Sequence, residues 1–212
     1  MIARDDERQE ALGRRTPARD MRQRDAERSR ELLLSAALDE FAAKGFAGAR
    51  VQDIASRAGL NKQLITYYFG GKEGLYQALE RRWLDLESTF ARPDIPIDEL
   101  AVEYLHAVLA DPRLFRLLVW NGLAERGGPS DPADEDPVGH DDVADLLRRQ
   151  QAGELASDLD PGLVLLALMG AIAAPIVLPQ VVRRVTGLDF RSPEFEQAYA
   201  EQLRRIVQHL AE

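Results

Sequence analysis

GFAGARVQDIASRAGLNKQLITYYFGGKEGL, residues 45–75, holds two short helical patterns joined by a tight turn, then the start of a third. Val51, Ile54, Ala55 and Ala58 have the spacing of one helical face. Ala58-Gly59-Leu60 breaks that pattern, with glycine where the chain must turn sharply. Asn61 follows as an N-cap residue, able to accept from the free N–H groups of a new helix. The helix expected over 62–69 turns Ile65 and Phe69 inward, helped by Leu64, and leaves Lys62, Gln63, Thr66 and Tyr67 outside. A polar, basic and aromatic outer face on a short second helix suits entry into a DNA major groove. Gly70-Gly71 ends it, and Lys72 opens the next helix.

With those residues in view, AGLNKQLITYYFGGKEGL resembles the DNA-binding signature of the tetracycline-repressor (TetR) family of transcriptional regulators. The residues that stand at the positions of the family pattern are Ala58, Gly59, Leu60, Asn61, Ile65, Thr66, Tyr67, Tyr68, Phe69, Lys72, Glu73 and Leu75. Upstream, LLLSAALDEFAAKGFAGARVQDIA fits the same pattern: an amphipathic helix, Gly45-Phe46, then the helix ending in Ile54-Ala55. The likeness covers about 25–80 and implies only "helical" for the rest. The chain departs from the family pattern in two respects. Ala49 and Arg50 stand where the family usually has Thr or Ser, losing a hydroxyl cap and placing a guanidinium beside the DNA backbone. Thr66 replaces the first tyrosine of the usual triplet, shortening one aromatic phosphate contact.

The resemblance implies a dimeric, ligand-responsive regulator, a repressor released from a near-palindromic double-stranded operator by a small, largely apolar effector. Its DNA-contacting residues would be Arg50, Gln52, Lys62, Gln63, Thr66, Tyr67, Tyr68 and Lys72. Gln52 and Gln63 would read bases, since glutamine pairs bidentately with adenine. Arg50, Tyr67, Tyr68 and Lys72 would hold phosphate, and Lys62 fits either role. Such a protein is cytoplasmic.

The net charge of −9 opposes a nucleic-acid partner until it is divided along the chain. Residues 1–75 hold 14 basic and 12 acidic side chains, a balance of +2; the remainder holds 13 and 24, a balance of −11. The acidity lies outside the DNA-reading part, and a local cation cluster suffices to meet phosphates. There is no cysteine, and the three histidines, His106, His140 and His209, have no ligand spacing, so neither a thiolate site nor zinc is expected. No cofactor is implied. Residues 1–24 mix arginine with acids, lack an apolar face and contain no secretory h-region. They read as a disordered or partly helical arm, either a solvated tail or one whose Arg14, Arg15 and Arg19 reach DNA.

The expected architecture is all-α: a three-helix helix-turn-helix DNA-binding domain over 25–71 and a helical effector-binding and dimerisation domain over 72–212. A first helix, 25–44, carries Leu33, Ala36, Ala37, Leu38 and Phe41 inward. A connecting helix, 72–90, lines up Leu75, Leu79, Trp83 and Leu86, and Pro93 and Pro96 follow it. Helices are then expected over 98–110, 112–125 and 138–152, the last after a breaker-rich loop at 127–137. Asp160-Pro161 should cap a long apolar helix over 161–185, kinked at Pro175, and Ser192-Pro193 the last one, 193–210. Its 163–178 run is apolar all round but reaches the ~20 residues of a membrane span only by crossing proline. Cover by the chain's own core and a second subunit is expected instead, with Phe195, Tyr199, Leu203, Ile206 and Leu210 as a second contact stripe.

For the effector, Trp83, Tyr104, His106, Trp120, Asn121 and Met169 are the candidate wall, each of which also suits plain core packing. His106 and Asn121 are the telling pair, because a polar group in an apolar wall must be satisfied by protein, water or ligand. No nucleophile–base pair, phosphate-cradling loop or other catalytic motif is present. A helical enzyme, or an interaction protein without DNA binding, is the alternative; the retained Lys62, Tyr67, Tyr68 and Lys72 speak against the latter.

Overall fold

A computed structural model describes residues 16–123 and 137–211. Among them there is no strand, as the patterns require. The helices are α1 (Thr16–Gly48), α2 (Val51–Ala58), α3 (Gln63–Phe69), α4 (Lys72–Phe90), α5 (Ile97–Ala110), α6 (Pro112–Leu123), α7 (Pro137–Gln151), α8 (Pro161–Val177), α9 (Pro179–Thr186) and α10 (Pro193–Gln208), with a 3-10 turn at His209–Ala211. They form two compact units, Met1–Leu79 and Glu80–Glu212.

In the first unit Leu33, Ala37 and Phe41 of α1, Ile54 of α2, Ile65 of α3 and Leu75 and Leu79 of α4 have no exposed surface. Helix α1 starts at Thr16, so the last nine residues of the expected arm are helical, and it is interrupted at Gly45 (φ 67, ψ 172). Arg14 and Arg15 of the arm, and the side chain of Arg19, lie outside the described residues. Along α4 the expected stripe is only partly realised: Leu75 and Leu79 are buried, Trp83 packs on the second unit's core, and Leu86 is 39% exposed. The stripe serves two separate cores, and neither extends to Leu86.

The second unit is built on α5, whose Val102, Leu105 and Val108 meet Phe195, Leu203 and Val207 of α10 and Val164, Ile172 and Ile176 of α8. Its helices are capped as expected. Asp160 Oδ1 accepts from Leu163 N–H at 3.0 Å, and Ser192 Oγ accepts from Phe195 N–H at 3.2 Å. Arg149 is a buried cation that the sequence did not announce. Its guanidinium donates to Asp145 Oδ2 (2.6 Å), to Glu154 Oε2 (2.9 Å) and to the Ile95 carbonyl (2.7 Å). Glu154 also accepts from Ile97 N–H at 2.9 Å, so one ion network fixes the start of α5 against α7.

Two expectations are corrected here. The single helix over 161–185 is two helices, α8 and α9, bent by 87°. The break lies at Leu178 (φ −124, ψ 49) rather than at Pro175, which stays inside α8. The residue before a proline avoids the α region, and Pro179 brings no N–H to continue the ladder. No single helix among the described residues is long and apolar enough to cross a membrane. The contact stripe of α10 is also split: Phe195 and Leu203 are each only 2% exposed within their own chain, whereas Ile206 is 57% exposed. Phe195 and Leu203 close the unit's own core and are not free to meet a partner. The expected loop at 127–137, with Asp134, Glu135 and Asp136, falls outside the described residues except for Pro137.

Candidate nucleic-acid interface and effector region

The turn between α2 and α3 is made by local hydrogen bonds. Gly59 closes α2 in the left-handed region (φ 67), with Leu60 N–H bonded to the Ala55 carbonyl (3.0 Å) and Gly59 N–H to Ser56 (3.2 Å). Asn61 Oδ1 accepts from Gln63 N–H at 2.9 Å, the capping role its side chain predicts. At the other end Gly70 N–H donates to the Thr66 carbonyl at 2.9 Å. Arg50 precedes α2 in extended conformation without a side-chain cap, as the loss of a hydroxyl there requires.

Helix α2 is clamped to α1 by a carboxylate that the sequence reading missed. Glu40 is 3% exposed; its Oε1 accepts from Arg57 Nη2 at 2.8 Å, and its Oε2 lies 2.6 Å from Lys44 Nζ. Lys44 also reaches Asp53 at 3.3 Å. Hydrogen bonding to Lys44, then to Arg57, holds the Glu40 carboxyl below its ordinary value. The signal was legible: Glu40 lies three after Ala37 and four before Lys44, on the apolar face of α1. A second missed residue is Gly74. A Cβ there would stand 1.8 Å from the Phe69 carbonyl oxygen, so with any larger residue the end of α3 or the start of α4 would have to shift.

On this frame Arg50, Gln52, Lys62, Gln63, Thr66 and Tyr67 are exposed, Tyr67 by 78%. The side chains of Gln52, Lys62 and Gln63 make no hydrogen bond among the described residues and remain available to a partner. Tyr68 and Lys72 are half-buried and held by rings. Arg30 lies 5.8 Å from the centre of the Tyr68 ring and 5.7 Å from that of Phe69; Lys72 Nζ lies 4.5 Å from that of Phe46. Phe46 in turn packs edge-on against Tyr76 at 5.2 Å.

The effector candidates are more scattered. Trp83 and Tyr104 pack on the second unit's core. The Tyr104 ring meets Phe90 edge-on at 5.0 Å and its hydroxyl donates to Glu87; burial, then that carboxylate, push its pKa up. His106 is half-exposed, with Nε2 3.8 Å from Glu196 Oε1. Trp120 and Met169 are 40% and 41% exposed, and the side chain of Asn121 lies outside the described residues. A cleft of about 540 Å³ in this unit is lined by none of these six.

Residues 33–79 match the family model "Bacterial regulatory proteins, tetR family", and residues 96–211 match "Tetracyclin repressor-like, C-terminal domain". The HTH-type transcriptional repressor SCO4008 of Streptomyces coelicolor is 35% identical over 197 residues, 88% of this chain and 99% of that protein. This chain belongs to the TetR family. The HTH-type transcriptional regulator RutR of Escherichia coli is 45% identical over 65 residues, 31% of each chain. The crystal structure of SCO4942 from Streptomyces coelicolor superposes with a TM-score of 0.68 at 26% identity, covering 85% of this chain and 97% of that one. As a TetR-family member the chain is a DNA-binding transcriptional regulator and not an enzyme.

Proposed function

We propose that this TetR-family chain is a repressor that binds a near-palindromic operator as a homodimer and leaves it when a small, largely apolar effector binds. The observation that carries the reading is the outer face of α3: Lys62, Gln63, Thr66 and Tyr67 stand exposed together on a helix whose opposite face holds the buried Ile65. Gln63 and Gln52 read base edges; Arg50, Tyr67, Tyr68 and Lys72 hold phosphate, with Lys72 oriented by its contact with the Phe46 ring. Symmetry pairs two such helices for successive major grooves, about 34 Å apart. On this reading the protein works in the cytoplasm, where the DNA is.

The partner surface assigned to the dimer is the outer face of α8, with Ile206 of α10. Leu163 and Leu166 are 68% and 66% exposed, which is costly for one chain alone. The effector is assigned to the region of Trp83, Tyr104, His106, Trp120, Asn121 and Met169. It releases DNA only by binding the DNA-free arrangement more tightly, through a shift of α4 that alters the separation of the recognition helices.

Competition binding on randomised operators tests the division of labour in α3. Gln63→Ala is expected to relax preference at one position per half-site by about 1–3 kcal/mol. Lys72→Ala should weaken all sites alike and lower the salt slope by about one. The reverse pattern removes the assignment. For the effector region, a confirmed effector should change the fluorescence of Trp83 or Trp120; Trp120→Leu leaving effector affinity and operator release unchanged would place its site elsewhere.

A further inference from the structure

Outside these surfaces the second unit carries a cleft of about 540 Å³ beside the 87° turn between α8 and α9. Its walls bring together Arg116 of α6, Arg183 and Arg184 of α9, and Arg191 beyond it, with Asp189 and Phe190. Gln180 also lines it, and Gln180, Arg183 and Arg184 share one face of α9 by their three- and four-residue spacing. Residues 80–212 hold 13 basic against 24 acidic side chains, yet this concavity gathers four guanidiniums against one carboxylate.

That carboxylate is already engaged. Asp189 Oδ2 accepts from Arg183 Nη2 at 2.9 Å, and its Oδ1 accepts from the Arg191 backbone N–H at 3.0 Å. The Arg191 guanidinium lies 5.1 Å from the centre of the Phe190 ring, which is itself buried in the core and supports it from below. Among the described residues no carboxylate comes within ion-pair distance of Arg116, Arg184 or Arg191. Cations in the last turn of a helix are favoured by its dipole, which accounts for Arg183 and Arg184. It accounts for neither Arg116 nor Arg191, which come from other segments. Arg116, Arg184 and Arg191, half-buried or exposed and without an ion pair among the described residues, border a concavity of small-molecule size, a setting that favours an anion.

We propose that this cleft binds a small, multiply charged anion, a phosphate- or polycarboxylate-bearing molecule, through Arg116, Arg184 and Arg191, while Asp189, paired with Arg183, offsets part of the positive charge. Guanidinium forks match both oxyanion groups. The site shares no residue with the effector region proposed above. Its test needs neither DNA nor effector, so it stands or falls separately.

Calorimetric titration of the full chain at constant ionic strength, with inorganic pyrophosphate and with citrate as probes and acetate for comparison, tests the site. One site per chain is expected, with at least one polyanion bound tenfold or more tighter than acetate, on the order of a charge-assisted pair. Arg184→Gln and Arg191→Gln should each weaken binding by about tenfold. Asp189→Asn keeps the acceptor for Arg191 N–H, removes a negative charge, and should tighten binding about threefold. Circular dichroism should be unchanged in all three. The proposal is overturned if neither polyanion binds saturably, if the Arg184→Gln/Arg191→Gln double variant binds like the parent, or if Asp189→Asn weakens binding.

Discussion

Helices α3 and α8 each leave a face uncovered, and the two faces differ in kind. On α3 the open side carries Lys62, Gln63, Thr66 and Tyr67, groups that water already satisfies. On α8 it carries Leu163 and Leu166, groups that water does not. The polar face can wait in solvent for a charged, hydrated partner and release it again, with affinity set by salt. The apolar face gains from permanent cover, so it suits a second copy of the chain. The frames beneath them differ as well. Helix α3 has seven residues, is bounded by the Asn61 hydrogen bond and glycines and is anchored by the buried Ile65, whereas α8 has seventeen and is held by apolar packing along its length.

The comparison can be broken at three points. The largest effect is expected at Gly74. Gly74→Ala puts a methyl group 1.8 Å from the Phe69 carbonyl, so the start of α4 must move. The first unit should lose about 3 kcal/mol or more, and operator binding with it, while the second unit keeps its melting transition. A two-transition thermal scan measures this; an unshifted first transition would show that α4 can start elsewhere.

Next in size is Leu166→Glu on α8. Leu166 is 66% exposed, so the chain should keep its helix content. Sedimentation should show monomers, and operator affinity should fall about a hundredfold because the half-sites are no longer bound together. A variant still dimeric at micromolar concentration moves the interface away from this face. Leu203→Glu would not serve, since Leu203 is buried in its own chain and the variant would unfold.

The smallest effect concerns acid. The Glu40 carboxyl titrates below its ordinary 4.5 when folded. Its contribution is therefore complete above that value and is lost as pH falls through the lower folded value. Denaturant titrations between about pH 6 and pH 3 should show the first unit losing about 1 kcal/mol to this group, small because Lys44 and Arg57 are half-exposed. Glu40→Gln should be less stable near neutrality and lose that part of the acid dependence. An unchanged acid profile would remove Glu40 as the clamp.

What the sequence by itself determined is the local structure. The helix-turn-helix, the Asn61, Asp160 and Ser192 caps and the turn at Gly59 all rest on bonds between residues two to five apart, so composition and spacing suffice to read them. The exposed side of α3 was legible for the same reason: a short amphipathic helix declares its own inside. Tertiary structure decided the rest. Helix α8 is apolar on every side, so no periodicity could say which leucines the core would cover. The stripe on α10 did not reveal that Phe195 and Leu203 turn inward while Ile206 turns out. Glu40 became a clamp only when α2 brought Arg57 to it across seventeen residues, and the cleft arginines met only because the chain turns at Leu178. Burial and long-range charge pairing depend on what other segments place nearby, and a single segment carries no record of its neighbours.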